Sequence, residues 1–145
     1  MLTKKHFGMM AFLAGIIAAF CLAGCDFGGS GTGTPGWPSN TMLNNVGIAN
    51  MPKPAGATDI THSYSAIAGK YYLSIKFAGS NANDMEIDTW LKTTGGFADK
   101  GTGLSILATS AAGSYEKEAA PFTYTVIYSR TKTTECSLNV TRTGN

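Results

Sequence analysis

The amino-acid sequence predicts an α+β fold: a small antiparallel sheet of about five strands with one helix packed on one face, after an N-terminal signal helix. Two observations predict this class. Several segments alternate apolar and polar residues with a period of two, which is typical of strands with one buried face. One segment between them has the apolar spacing of an amphipathic helix, and a sheet face is the natural surface for that helix to cover.

The first predicted elements are a short helix and a hairpin. The helix is expected over 41–46, between an N-cap at Ser39 or Asn40 and a stop at Gly47. A connection rich in Pro and Gly follows it and predicts extended, turn-rich backbone. The hairpin then has strands at 60–67 and 71–78, with Ala68-Gly69 as its turn.

The main helix is predicted to follow the hairpin. Asn83 and Glu86 have the spacing of a capping box, with Asn83 as the cap. Gly95 and Gly96 end the helix in the usual way. The side chains that form its apolar stripe are Ile87, Trp90, Leu91 and Thr94.

Three strands are predicted after the helix. They lie at 104–109, at 115–129 with an interruption at Pro121, and at 136–141. Pro121 interrupts the second strand because proline cannot donate a ladder hydrogen bond. Residues 130–134 are polar and predict the turn between the last two strands. We expect Cys136 to point into the core with its apolar neighbours, as a small hydrophobic residue.

The N-terminal residues predict export. Lys4 and Lys5 precede a run over 7–24 that contains no charged residue, as in a secretory signal. The length of the run is also marginal for a membrane-spanning helix. The run alone therefore allows two interpretations: an ordinary cleaved signal peptide and a retained membrane helix. The end of the run suggests a third.

The end of the run, Leu22-Ala23-Gly24-Cys25, resembles the lipobox of bacterial lipoproteins. The resemblance implies cleavage between Gly24 and Cys25, a diacylglycerol group on the Cys25 thiol and an N-acyl chain on the new amino group. It places the protein on the exported side of the bacterial cell membrane or outer membrane. Each buried methylene contributes about 0.8 kcal/mol, so two or more chains would hold the protein firmly.

Three regions follow from this interpretation: a signal peptide at 1–24, a lipidated and Gly-rich tether at 25–36, and one small domain at 37–145. Removal of the signal from the 145-residue chain leaves 121 residues, enough for one domain. Two of the 11 basic residues leave with the signal, so nine basic and nine acidic residues remain. That balance argues against nucleic acid as a partner.

The predicted domain also resembles, in its layout, a group of small uncharacterised bacterial lipoproteins. The matching elements are Trp37-Pro38, the Pro-rich connection at 52–56 and a helix that ends in Gly95-Gly96-Phe97. These motifs are structural. The resemblance implies a shared small α+β domain and carries no activity to transfer.

The residues do not assemble a recognisable catalytic or metal site. His62 is the sole histidine after the signal, and no Gly-x-Ser-x-Gly motif is present. Asp84, Glu86 and Asp88 splay around a helix and should not converge on one ion. Asp88 is instead spaced to pair with Lys92. We therefore expect no enzyme activity, no metal and no cofactor.

Tyrosines on the predicted strands are the remaining candidates for function. A sheet face that carries tyrosine, serine and threonine could bind a glycan, a peptide or another envelope protein. The plainer interpretation is that tyrosine suits strands. The candidate binding residues are Tyr72, Tyr115, Tyr124 and Tyr128.

These observations predict a lipid-anchored envelope protein with a non-enzymatic binding or accessory role. One alternative is a small enzyme or ligand carrier with a pocket between helix and sheet that uses His62 or the acidic group at 84–88. A second alternative is a purely structural surface protein.

Overall fold

The computed structural model describes residues 33–132 and 134–144, and within them the chain is mostly β. An antiparallel sheet of eight strands carries two short helices. The predicted α+β class, with about five strands and one packed helix, is therefore wrong. The predicted signal helix, the cleavage site and Cys25 lie outside the described residues.

Five of the strands are long and three have two residues each. Neither helix is long and apolar enough to cross a membrane, among the residues that the structure describes. The strands are β1 Thr34–Pro35, β2 Thr58–Ile67, β3 Lys70–Ala78, β4 Ala98–Asp99, β5 Ser105–Ile106, β6 Ala111–Ala119, β7 Phe122–Thr131 and β8 Glu135–Gly144, and the helices are α1 Asn40–Asn45 and α2 Asn81–Thr93.

The sheet order is β1-β2-β3-β8-β7-β6-β4, and β5 also pairs with β6. All pairings are antiparallel. The last strand thus lies at the centre, between the β2–β3 hairpin and the β6–β7 hairpin. The short strands extend the two edges. Thr34 pairs with His62, so part of the predicted tether belongs to the sheet.

Both helices lie on the same face of the sheet, and the core lies between them and the strands. The α1 residue Asn45 donates to the Tyr64 hydroxyl on β2, and the α2 residue Asp84 contacts Tyr128 on β7. Burial of each large aliphatic side chain contributes about 1.5–3 kcal/mol. The most deeply buried aliphatic residues on the covered face are Leu73, Ile75, Val126, Leu138 and Val140, and the covering segments contribute Leu43, Val46, Ile48, Ile87 and Leu91.

Helix α2 begins earlier than predicted. Its N-cap is Ser80, and the Asn83 side chain accepts a hydrogen bond of 2.9 Å from the Ser80 backbone N–H. Asn83 is therefore the third residue of the helix and completes the capping box, whereas the N-cap is Ser80. Of the predicted stripe, Ile87 and Leu91 are buried and Trp90 is half-buried, but Thr94 is exposed and lies just after the helix. Helix α1 lies one residue earlier than its predicted range, and its N-cap is Ser39, one of the two predicted candidates.

Two strand predictions after α2 are wrong in their bounds. The segment 104–109 forms only the two-residue strand β5. The single strand predicted at 115–129 is a hairpin of two antiparallel strands, β6 from Ala111 and β7 from Phe122, because the chain reverses at Pro121. Arg130, which was expected in a turn, lies within β7 and is 1 % exposed. The alternation of Val126 and Tyr128 continues through Arg130, so its side chain enters the core.

Candidate functional site

The four candidate tyrosines do not form one exposed face. Tyr115 and Tyr128 are fully buried on the covered face, and Tyr124 is half-buried on the same side. Tyr72 is 40 % exposed and lies on the opposite face. The proposed binding face of Tyr72, Tyr115, Tyr124 and Tyr128 is therefore not assembled, because three of the four share the side that the helices cover.

The buried tyrosines bind acidic residues of α2. The Tyr115 hydroxyl donates to Asp88 at 2.8 Å, and the Tyr128 hydroxyl donates to Asp84 at 2.6 Å. Burial, followed by these hydrogen bonds, raises the pKa of both phenols far above the ordinary value. Both tyrosines therefore stay protonated donors that hold α2 on the sheet.

The acidic residues of α2 each have a separate partner. The Asp84 carboxylate pairs with Arg130, and Asp88 pairs with Lys92 at 2.9 Å, which confirms the predicted i,i+4 contact. Glu86 accepts a hydrogen bond from the Ala55 backbone N–H at 3.0 Å. Within 33–132 and 134–144, no group of three or more His, Cys, Asp or Glu side chains is placed to hold a metal ion.

His62 and Cys136 are both buried. The His62 ring is 7 % exposed, and its Nδ1 lies 2.8 Å from the Gly36 carbonyl oxygen, to which it donates in the matching tautomer. Cys136 is 3 % exposed, which confirms its predicted inward direction. Burial raises the pKa of its thiol, so the reactive thiolate is disfavoured. Both residues have the environment of structural side chains.

The predicted space for a pocket between helix and sheet is occupied by side chains. Ile87 and Leu91 of α2 and Tyr115 and Tyr128 of the sheet are all at most 1 % exposed there. A groove of about 470 Å³ lies instead on the outer side of α2, where Met85 and Trp90 contribute to its wall. Of the residues that the enzyme or carrier alternative invokes, Glu86 lines this groove, whereas His62, Asp84 and Asp88 do not.

The face of the sheet away from the helices carries hydroxyl and amide side chains in register. One cross-strand row runs Ser74–Asn139–Ile127, and the next runs Tyr72–Thr141–Thr125. Neighbouring strands are about 4.8 Å apart, so these groups are closely spaced. We call this surface the hydroxyl face; it consists of Tyr72, Ser74, Thr123, Thr125, Ile127, Ser129, Ser137, Asn139, Thr141 and Thr143, all half-buried or exposed.

The ten side chains that define the hydroxyl face are uncharged, and among them only Ile127 lacks a polar group. Ser129 and Ser137 share a hydrogen bond of 2.8 Å between their hydroxyl groups. Three charged side chains lie on the same side of the sheet and border these residues: Lys76 pairs with Ser137, Glu116 with Thr125 and Glu118 with Thr123. The arrangement offers many alternating donors and acceptors to a flat polar partner.

No family model, no curated protein and no solved structure matches this chain. Its functional candidates therefore come from its own residues.

The sequence interpretation missed both arginines of the chain. Arg130 pairs with Asp84 in the core. Arg142 lies between two rings, with its Cζ atom 3.8 Å from the Tyr71 centroid and 4.3 Å from the Phe122 centroid. The signal for both was available: each continues the inward alternation of its strand by one more step. The predicted strands end at 129 and 141, one residue before each arginine.

Proposed function

We propose that this protein is a lipid-anchored protein of the bacterial cell envelope that binds a partner without catalysis, through the hydroxyl face. The anchor is supported by the Leu22-Ala23-Gly24-Cys25 motif. The binding role is supported by one observation: uncharged hydroxyl and amide side chains stand in register on the central strands, while both described helices lie on the other side.

The partner class that fits this surface best is a glycan of the envelope. Stable protein interfaces rely on buried aromatic and arginine anchors. The hydroxyl face offers only Tyr72 and Ile127 as large side chains, so it is poor in such anchors. A polysaccharide presents hydroxyl and amide groups at high density, and the Ser, Thr and Asn side chains can both donate to and accept from them. The Tyr72 ring adds an apolar surface for a sugar.

Binding to purified cell-wall polysaccharide tests the proposed face. The full chain in detergent should co-sediment with the polysaccharide. The triple variant Thr125→Ala, Asn139→Ala, Thr141→Ala should bind roughly tenfold more weakly or worse, because each hydrogen bond contributes about 0.5–1.5 kcal/mol. The matched control is Thr102→Ala with Thr109→Ala, on an exposed loop, and it should bind like the wild type. Equal binding by the triple variant would exclude the hydroxyl face.

Intact-mass analysis of the membrane-bound protein tests the anchor. We expect the loss of residues 1–24 and an acyl mass on Cys25. The Cys25→Ser variant should lose both the acyl mass and the membrane attachment. A mature protein without acyl groups would contradict the lipoprotein proposal. Fractionation of Cys25→Ser with membranes as an uncut precursor would favour a retained helix.

A further inference from the structure

Arg142 is a cation held between two aromatic rings without an acidic partner. It lies near the end of β8, and its guanidinium stacks on Tyr71 of β3 and Phe122 of β7 at 3.8 and 4.3 Å. No carboxylate of the described residues lies within salt-bridge distance of it. Two rings on a planar cation limit its rotation, so the guanidinium is oriented before any ligand arrives.

The hydrogen-bonding groups of Arg142 are free in the described part of the chain. Its Nε atom is buried and has no partner there. The side chain as a whole is half-buried, and its two terminal nitrogens form no hydrogen bond with residues 33–132 or 134–144, so they face solvent. In the other arginine, Arg130, each of the three nitrogens has a partner, which is Asp84 or a backbone carbonyl. The sequence contains these two arginines alone.

The surroundings of Arg142 favour a ligand with a single negative charge. Lys117 is the neighbouring cation along the same side of the sheet, but its ammonium donates to the Gly47 and Gly95 carbonyl oxygens at 2.9 Å each. Two of the three donors of Lys117 are thus occupied, whereas the Arg142 guanidinium has no hydrogen-bond partner among the residues described. Tyr64, whose ring lies 6.3 Å from that of Tyr71, accepts from Asn45 and keeps its own hydroxyl proton for a further acceptor.

We propose that Arg142, held between Tyr71 and Phe122, is the centre of a binding site for a carboxylate. The guanidinium presents two parallel N–H groups that match the two oxygens of a carboxylate. A single fixed positive charge balances a monoanion, whereas a phosphate dianion would call for further cations. The site lies on the side of the sheet opposite the hydroxyl face, so it is independent of the proposed glycan contact.

The test uses the arginine Nε–Hε NMR signals of the isotope-labelled full chain in detergent. The two arginines give two signals, which the Arg142→Lys variant assigns. Sodium acetate, sodium phosphate and sodium chloride are titrated at equal ionic strength. We expect a saturable shift of the Arg142 signal with acetate and no saturation with chloride. The Arg130 signal is the internal control and should not move, because its guanidinium is buried against Asp84.

Two variants and two larger probes sharpen the result. Arg142→Lys keeps the charge but loses the paired donors, and an amide signal near the site should report acetate binding about tenfold weaker. Phe122→Leu should weaken acetate binding less, because one ring remains.

Two larger probes identify the source of the carboxylate: N-acetylglycine represents a peptide and glucuronate an acidic sugar. Binding of either that is tighter than the binding of acetate supports the site. A non-saturating response equal in the three salts, or tighter binding of phosphate than of acetate, would overturn the proposal; the wild-type titration decides this even if a variant fails to fold.

Discussion

The Asp84 carboxylate on α2 and the Arg130 guanidinium on β7 form an ion pair whose two side chains are both completely buried. Arg130 Nε lies 3.0 Å from Asp84 Oδ2, and a terminal Arg130 nitrogen lies 3.0 Å from the same oxygen. Tyr128 donates to the other carboxylate oxygen, Oδ1, so the acid is well satisfied. Removing both charges from water costs free energy. Well-aligned and complete hydrogen bonds between the two groups must offset that cost.

Breaking this pair should destabilise the protein strongly. Asp84→Ala leaves the Arg130 cation buried without its counter-charge, and we expect a loss of about 3–5 kcal/mol in the free energy of unfolding. Urea unfolding followed by circular dichroism measures it. The control is Lys132→Ala, which breaks the exposed ion pair with Glu135 and should leave the midpoint nearly unchanged. Similar midpoints for the two variants would contradict a stabilising role for the buried pair.

The two buried tyrosines predict a loss of stability at alkaline pH. Burial raises the pKa of Tyr115 and Tyr128 in the folded protein, whereas an unfolded tyrosine ionises near pH 10. Below about pH 10 both states keep their protons, so the stability from these groups is fully present. Above it the unfolded state alone releases them, and each tyrosine lowers the free energy of unfolding by up to about 1.4 kcal/mol per pH unit.

Urea unfolding from about pH 8 to about pH 11 checks this expectation. The Tyr128→Phe variant removes one of the two protons, so its decline above about pH 10 should be shallower than that of the wild type. The variant should also be less stable than the wild type at the lower end of this pH range, because the Asp84 carboxylate loses a hydrogen-bond donor. Equal slopes for the variant and the wild type would mean that Tyr128 ionises in the folded state as it does in the unfolded one.

Period-two alternation explains which parts of the sheet could be predicted from the sequence. It identified β3 and β8 and the inward direction of Leu73, Leu138 and Cys136, all of which are buried. Alternation shows which residues share a side but not which side the helices cover. For that reason the sequence predicts a binding face that includes Tyr115 and Tyr128, although both lie in the core.

The eight-stranded, mostly β class differs from the prediction by three strands, which the sequence hides for two different reasons. One of the three additional strands arises because the segment 115–129, predicted as one interrupted strand, is the antiparallel hairpin of β6 and β7. The other two, β1 and β4, have two residues each, and a two-residue strand shows no alternation. Their pairing depends on which backbone groups the sheet edges bring close in space. Arg130 was missed for a different reason: a charged residue near a hairpin suggests a turn, and only its partner Asp84, 46 positions away, explains its burial.

Burial of Cys136 predicts slow alkylation in the folded protein. Burial raises the pKa of its thiol, and both the lack of access and the low thiolate fraction slow reaction with iodoacetamide. Peptide mapping by mass spectrometry should find the Cys136 peptide unlabelled in native buffer and fully labelled in concentrated urea. Rapid labelling without urea would show that this end of β8 opens readily.

The Asn83 side chain joins the start of α2 to the loop before β2. It is 2 % exposed, accepts from the Ser80 backbone N–H at 2.9 Å and donates to the Ala55 carbonyl oxygen at 2.8 Å. Asn83→Ala leaves both backbone groups without their partner, so we expect a loss of about 1–3 kcal/mol in urea unfolding. Asn81→Ala, on the exposed side of the same turn, is the matched control and should lose less than about 0.5 kcal/mol. Equal losses would mean that the contacts of the Asn83 side chain with Ser80 and Ala55 do not account for the effect.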